Sequence, residues 1–129
     1  MFPAFFAFRA VVMKKILLIG GTAIHRGTLK AALEEQGFRV TSAITHKYTN
    51  TWLGHRIKPF DMIIYDTEDT PPRDASFFQE MHAAAPPTLI LVLTSVFDLV
   101  DYGPTGAKRV LRRPYTVGDV VESAHALLA

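Results

Sequence analysis

The sequence predicts a doubly wound α/β domain, a five-stranded parallel sheet with helices on both faces. Three apolar runs stop abruptly at polar residues: Met62-Ile63-Ile64-Tyr65 before Asp66, Leu91-Val92-Leu93 before Thr94, and Val110-Leu111 leading into Arg113-Pro114. A parallel strand buried on both faces reads as a continuous apolar run, and the residue that follows it arrives at the carboxyl edge of the sheet. Strand-like and helix-like segments also alternate five times, which demands right-handed crossovers and a parallel sheet.

The elements follow in chain order. The strand expected over residues 15 to 19 is continuously apolar from Ile16 to Ile19, as a central strand requires. From Ile24 to Gln36 the apolar residues Ile24, Leu29, Ala32 and Leu33 fall near helical spacing, and Gly37 closes the helix. Phe38 to Ala43 alternates and predicts a shorter strand nearer an edge. Residues 46 to 57 carry Tyr48, Trp52, Leu53 and Ile57 in a rough helical stripe, interrupted by Gly54 and followed by Pro59. Phe60 to Tyr65 is the third strand. Asp74 is placed to cap a helix that buries Phe77, Phe78 and Met81. Pro86-Pro87 ends that region and launches Leu89 to Leu93. Only Val96 to Tyr102 is then available for a fourth helix before Gly103-Pro104 and Gly106. Arg109 to Leu111 is the last strand, and Thr116 to Leu128 the closing helix, with Val117, Val120, Val121, Ala124, Leu127 and Leu128 inward.

A length of 129 residues suits one domain, read here as 13–129 preceded by an apolar extension over 1–12. That extension, MFPAFFAFRAVV, lacks the charge placement of a secretory signal and the roughly twenty apolar residues of a membrane span. Either it lies upstream of the folded unit or its Phe2, Phe5, Phe6 and Phe8 form an apolar tab for a partner or membrane surface. With 49% apolar and 20% charged residues, the chain reads as an ordinary globular protein. A net charge of +2 is too small to argue for nucleic acid. The absence of cysteine removes disulfides, thiol nucleophiles and thiolate zinc sites, and suits the cytoplasm.

Together with Lys14-Lys15-Ile16-Leu17-Leu18-Ile19, the three strand ends resemble the receiver domain of bacterial response regulators, of the CheY-like, flavodoxin-like type, from about Met13 to Ala129. The resemblance implies the strand order 2-1-3-4-5. It also implies roles: Asp66 as phosphoacceptor, Thr94 as hydrogen-bond partner of a phosphoryl oxygen, and Arg113 in place of the Lys of the family's Lys-Pro. Where that family carries an acidic pair that holds Mg2+, this chain has Gly20-Gly21. Glycine offers no side-chain oxygen, so Asp66 is the one carboxylate left there, and one carboxylate does not hold an octahedral ion well. Glu68 and Asp69 in the adjoining loop lie at the wrong strand end to copy the missing pair. The aromatic of the family's fifth strand aligns with Val110, so part of the usual switch is missing as well.

The leading expectation is a free-standing degenerate receiver, a pseudo-receiver that is not an enzyme and acts by protein contacts without a cofactor. Its partners would be a histidine kinase, a phosphotransfer protein or an effector, with homodimerisation a further option, and neither nucleic acid nor membrane involved. An Arg113 to Asp66 ion pair, able to form bidentately, would then replace the metal and occupy the nucleophile. The alternative is an atypical phosphoacceptor, using Mg2+, in which Asp66 takes a phosphoryl group in a His-Asp phosphorelay. A third reading is a small anion or nucleotide binder built from Arg113 and the backbone N–H groups of Gly20, Gly21 and Thr22. The turn GGTAIHRG, however, lacks the Lys-Ser/Thr of a P-loop and does not match GxGxxG.

Lys108, Arg109, Arg112 and Arg113 form the densest positive run, read first as a solvated strand end and second as a docking patch for an acidic partner. The histidines His25, His46, His55, His82 and His125 show no metal spacing and read as surface residues.

Overall fold

The computed structural model describes residues 13–43, 60–68 and 76–129. Five strands, β1 (Lys15–Gly20), β2 (Arg39–Ala43), β3 (Met62–Asp66), β4 (Leu89–Thr94) and β5 (Arg109–Arg112), make one sheet in the order β2-β1-β3-β4-β5. Every pairing is parallel. Among the described residues the α-helices are α1 (Ala23–Glu35), α2 (Ser76–Ala84) and α3 (Val117–Leu128). The expected helix over 46–57 and the Asp74 cap lie outside the described residues.

Alternation along each strand sorts the core into two layers. Ile16, Leu18, Ile64 and Leu93 face Leu29 and Leu33 of α1 and Val120 and Ala124 of α3. Leu17, Ile19, Ile63 and Tyr65 face Phe78 and Met81 of α2. Because both faces of β1, β3 and β4 are covered, their sequences are unbroken apolar runs. The Phe78 ring meets Tyr65 edge-on at 5.2 Å between centroids and Tyr102 at 5.3 Å, which ties α2 to the β4–β5 connection.

Helix α3 starts in a reciprocal cap. The Thr116 hydroxyl accepts from the Asp119 N–H at 3.0 Å, and the Asp119 carboxylate accepts from the Thr116 N–H at 2.8 Å. The cap fixes where the chain leaves β5, and with it the positions of Arg113 and Tyr115.

The segment Val96–Tyr102 is not a helix, which corrects the sequence reading. It runs as turns into a 3-10 turn at Gly103–Thr105. Asp98 explains the difference locally. Its side chain accepts from the Val100 N–H at 2.9 Å, closing a two-residue turn that competes with helical hydrogen bonding. Within this connection Val96, Phe97 and Leu99 are exposed, whereas Tyr102 is buried.

Candidate functional site

Register places the site. Gly20 at the end of β1 lies opposite Asp66 at the end of β3, and Leu93 and Thr94 of β4 continue the same edge. Gly20 and Gly21 take φ of 81° and 76°, the left-handed region that glycine enters without steric cost. Thr22 then caps α1, its hydroxyl accepting from the His25 N–H at 3.2 Å. That cap seats His25 in the first turn of α1, beside the strand ends.

Gly21 is also held by space. A Cβ at this position would stand 2.8 Å from Asp66 Oδ2 and 3.1 Å from its Cγ, nearer than a side chain can come. The Gly21 N–H donates to the Glu68 carbonyl at 3.0 Å. The Arg26 guanidinium donates to the carbonyls of Gly20 and Gly21, at 3.3 and 2.9 Å. The turn after β1 is therefore drawn in against Asp66 and the loop after β3, and its Gly21 donor is already spent.

Asp66 is 1% exposed. Its Oδ1 accepts from the Glu68 N–H at 2.9 Å and from Arg113 Nη2 at 3.1 Å. Among the described residues its buried Oδ2 has no hydrogen-bond partner; His25 Nε2 stands 3.6 Å from it. Burial lifts the Asp66 carboxyl above its ordinary value, against the opposing pull of the Glu68 N–H, Arg113 and His25. The same Arg113 Nη2 reaches Glu68 Oε2 at 2.9 Å. One nitrogen is thus shared between two carboxylates, where the sequence suggested a bidentate grip on Asp66 alone.

Tyr115 completes the rim. Its hydroxyl lies 3.1 Å from His25 Nε2, and the Arg113 guanidinium lies 5.8 Å from its ring centre. Burial, reinforced by the negative charge of Asp66, pushes the Tyr115 hydroxyl up to about 12, so it is a neutral donor at physiological pH. His25, Glu68, Arg113, Pro114 and Tyr115 line an open cavity of about 430 Å³ above Asp66.

Thr94 belongs to a second cluster. Its hydroxyl donates to Asp98 Oδ2 at 2.6 Å and lies 2.8 Å from the Thr67 hydroxyl. The Tyr102 hydroxyl donates to the same Asp98 oxygen. Arg112 bridges the carbonyls of Ser95 and Asp98, at 3.1 and 3.0 Å. Burial pushes the Asp98 carboxyl upward, but the hydrogen bonds from Thr94, Tyr102 and the Val100 N–H, with the charge of Arg112, outweigh it and hold it below the ordinary value.

Asp66, Arg113, Gly20 and Gly21 therefore converge, Thr22 acts as a helix cap, and the Thr94 hydroxyl is engaged by Asp98. His25, Tyr115 and Glu68 complete the pocket. His25 is only 28% exposed at its side chain, which corrects its reading as a surface residue. A signal for it was present in Thr22-Ala23-Ile24-His25, a capping spacing that sets the fourth residue at the strand edge. His82 is also partly covered, its ring lying where a Cβ on Gly106 would stand 2.6 Å away.

The donor set does not suit Mg2+. An octahedral all-oxygen shell needs several carboxylate or carbonyl oxygens free to converge. Here Asp66 Oδ1 faces a guanidinium, Oδ2 faces Gly21 and His25, and Glu68 is paired with Arg113. Among the described residues no group of three or more His, Asp or Glu side chains is arranged to hold a metal ion.

The fold is that of response-regulator receiver domains. A receiver domain protein from Clostridium thermocellum superposes with a TM-score of 0.75 at 23% identity, covering 90% of this chain and 94% of that one. A response regulator from Burkholderia pseudomallei, solved with a phosphorylated aspartic acid, a calcium ion and citrate, matches with a TM-score of 0.67 at 25% identity, covering 90% and 73%. An adenylate cyclase from Rhodopirellula baltica matches with 0.76 at 22%, covering 91% and 88%. No family model matches the chain, and no curated protein does. Among the described residues no helix is long and apolar enough to cross a membrane.

Proposed function

We propose that this chain is a degenerate receiver of two-component-type signal transduction, a binding module that works through protein contacts and not through Mg2+-dependent phosphorylation of Asp66. Its partners are signalling proteins of that system: a histidine kinase, a phosphotransfer protein or an effector. The observation that carries this reading is Arg113 Nη2, 3.1 Å from Asp66 Oδ1 and 2.9 Å from Glu68 Oε2. Phosphoryl transfer needs a free nucleophilic oxygen and cationic groups aimed at the equatorial oxygens of the incoming phosphoryl group. At Asp66 one oxygen is held by the Glu68 N–H and Arg113, and the other is buried, with His25 Nε2 3.6 Å away. Thr94 supports the same reading, since its hydroxyl serves Asp98.

Incubation with Mg2+ and acetyl phosphate or phosphoramidate, read by intact mass, tests this. The expected result is no phosphoryl adduct while a competent receiver in parallel is labelled. An adduct that disappears in Asp66→Asn would replace this reading with that of an atypical phosphoacceptor.

A further inference from the structure

His25 Nε2 has two polar neighbours of different chemistry. The Tyr115 hydroxyl, 3.1 Å away, stays protonated up to about 12 and can donate to a bare ring nitrogen or accept from a protonated one. Asp66 Oδ2, 3.6 Å away, is a buried carboxylate oxygen without a hydrogen-bond partner among the described residues, and it asks for one. A neutral imidazole has one donor and one acceptor nitrogen, while an imidazolium has two donors. A bare Nε2 can accept from Tyr115 but has nothing to give Asp66, whereas a protonated Nε2 can donate to Asp66 Oδ2.

We propose that His25 is a protonation-operated latch in this pocket. In the neutral ring the proton sits on Nδ1 and Nε2 accepts from the Tyr115 hydroxyl, as the 3.1 Å contact allows. When a proton from solvent adds to Nε2, that nitrogen loses its lone pair and the Tyr115 O–H loses its acceptor. The new N–H turns to Asp66 Oδ2, and the 3.6 Å gap closes to a charge-assisted hydrogen bond. Tyr115 then loses its His25 partner at the rim and is left with Arg113.

The charges around the ring favour this exchange. Asp66 faces it from β3 and Glu68 from the following loop, while Arg113 and Tyr115 face it from the segment after β5. Arg26, its neighbour on α1, is turned to the carbonyls of Gly20 and Gly21. Arg113 is already shared between the two carboxylates, so the protonated ring meets an anionic oxygen that no other cation engages among the described contacts.

The latch rests on the reading of this pocket as free of metal, and its test is run in EDTA so that failure of the two can be told apart. Imidazole 15N and Tyr115 ring signals are followed by NMR from alkaline to mildly acidic pH. The expected result is a neutral ring protonated on Nδ1, and Tyr115 signals that move in step with His25. That movement is lost in His25→Gln and shrinks in Asp66→Asn, where the protonated ring has no anion to turn to. A neutral ring protonated on Nε2, still Tyr115 signals while His25 titrates, or undiminished movement in either variant would overturn the proposal. Should a variant fail to fold, the wild-type 15N tautomer and Tyr115 signals decide it alone.

Discussion

Two carboxylates stand at the carboxyl edge of one sheet, and their surroundings drive them in opposite directions. Asp66, at the end of β3, is enclosed and left with one oxygen unbonded, so its carboxyl is raised. Asp98, on the β4–β5 connection, accepts from two hydroxyls and a backbone N–H, so its carboxyl is lowered. Neighbouring charge does not explain the contrast, since Arg113 attends one and Arg112 is near the other. The difference is depth of burial first, since Asp66 is enclosed and Asp98 only half-buried, and donor supply second. Hydroxyl and amide donors converge on Asp98, and beside Asp66 the chain supplies Gly21, which brings none from a side chain. Thr94, which the family resemblance assigns to a phosphoryl oxygen on Asp66, is drawn to Asp98 and widens the gap.

The largest effect is expected at Gly21. Restoring an acid by Gly21→Asp forces a β-carbon into a left-handed conformation, costing about 1–2 kcal/mol, and into contact with a buried carboxylate. A total loss of about 3 kcal/mol or more in urea unfolding is expected, with no gain of Mg2+ affinity. Gly27→Ala is the internal contrast, because no atom lies within 4 Å of its would-be Cβ on α1; it should stabilise by up to about 1 kcal/mol.

Next comes Arg113→Ala, which leaves Asp66 and Glu68 facing each other without their shared cation. Breaking a fully buried pair costs about 3–5 kcal/mol, but Arg113 is 35% exposed and water partly replaces it, so about 2 kcal/mol is expected by chemical denaturation. Arg113→Lys should recover only part of this, since the compact, strongly hydrated ammonium is costlier to hold against a buried carboxylate than the guanidinium nitrogen that both carboxylates share. On the other side of the comparison, Tyr102→Phe removes one hydroxyl from Asp98 and should cost about 1 kcal/mol.

The smallest and most discriminating effect is in the acid limb of stability. Asp98, with its folded value lowered, adds stability above the unfolded carboxylate value of 3.8, and this is lost as pH falls through the folded value. Asp66, with its folded value raised, opposes folding at neutral pH. That opposition is relieved as pH falls through the folded value towards 3.8. Asp98→Asn should therefore flatten the acid loss, and Asp66→Asn should remove an acid gain, both read from urea midpoints across pH.

Much of the fold was legible because both faces of β1, β3 and β4 are covered, and burial on two sides writes itself into sequence as Ile16 to Ile19, Met62 to Tyr65 and Leu89 to Leu93. Helix α3 announced itself through Thr116 and a clean apolar stripe. The site was legible only where backbone register delivers the side chain, as at Asp66 and Arg113. Thr94 was delivered to the same edge, but the side chain of Asp98, four residues on, decides where its hydroxyl points. The same Asp98 turn is why Val96–Tyr102 forms no helix, an outcome that hydrophobic spacing does not encode. His25 and Tyr115 meet across 90 residues, and only tertiary structure makes them neighbours.

The central claim is that Arg113 stands in the place of a cation at Asp66. Its most direct test is a Mg2+ titration of the intact chain at neutral pH, followed through the backbone amides of Gly21, Asp66, Glu68 and Arg113. The account predicts no saturable change at these four up to millimolar Mg2+. A saturable one-to-one change confined to them would contradict it.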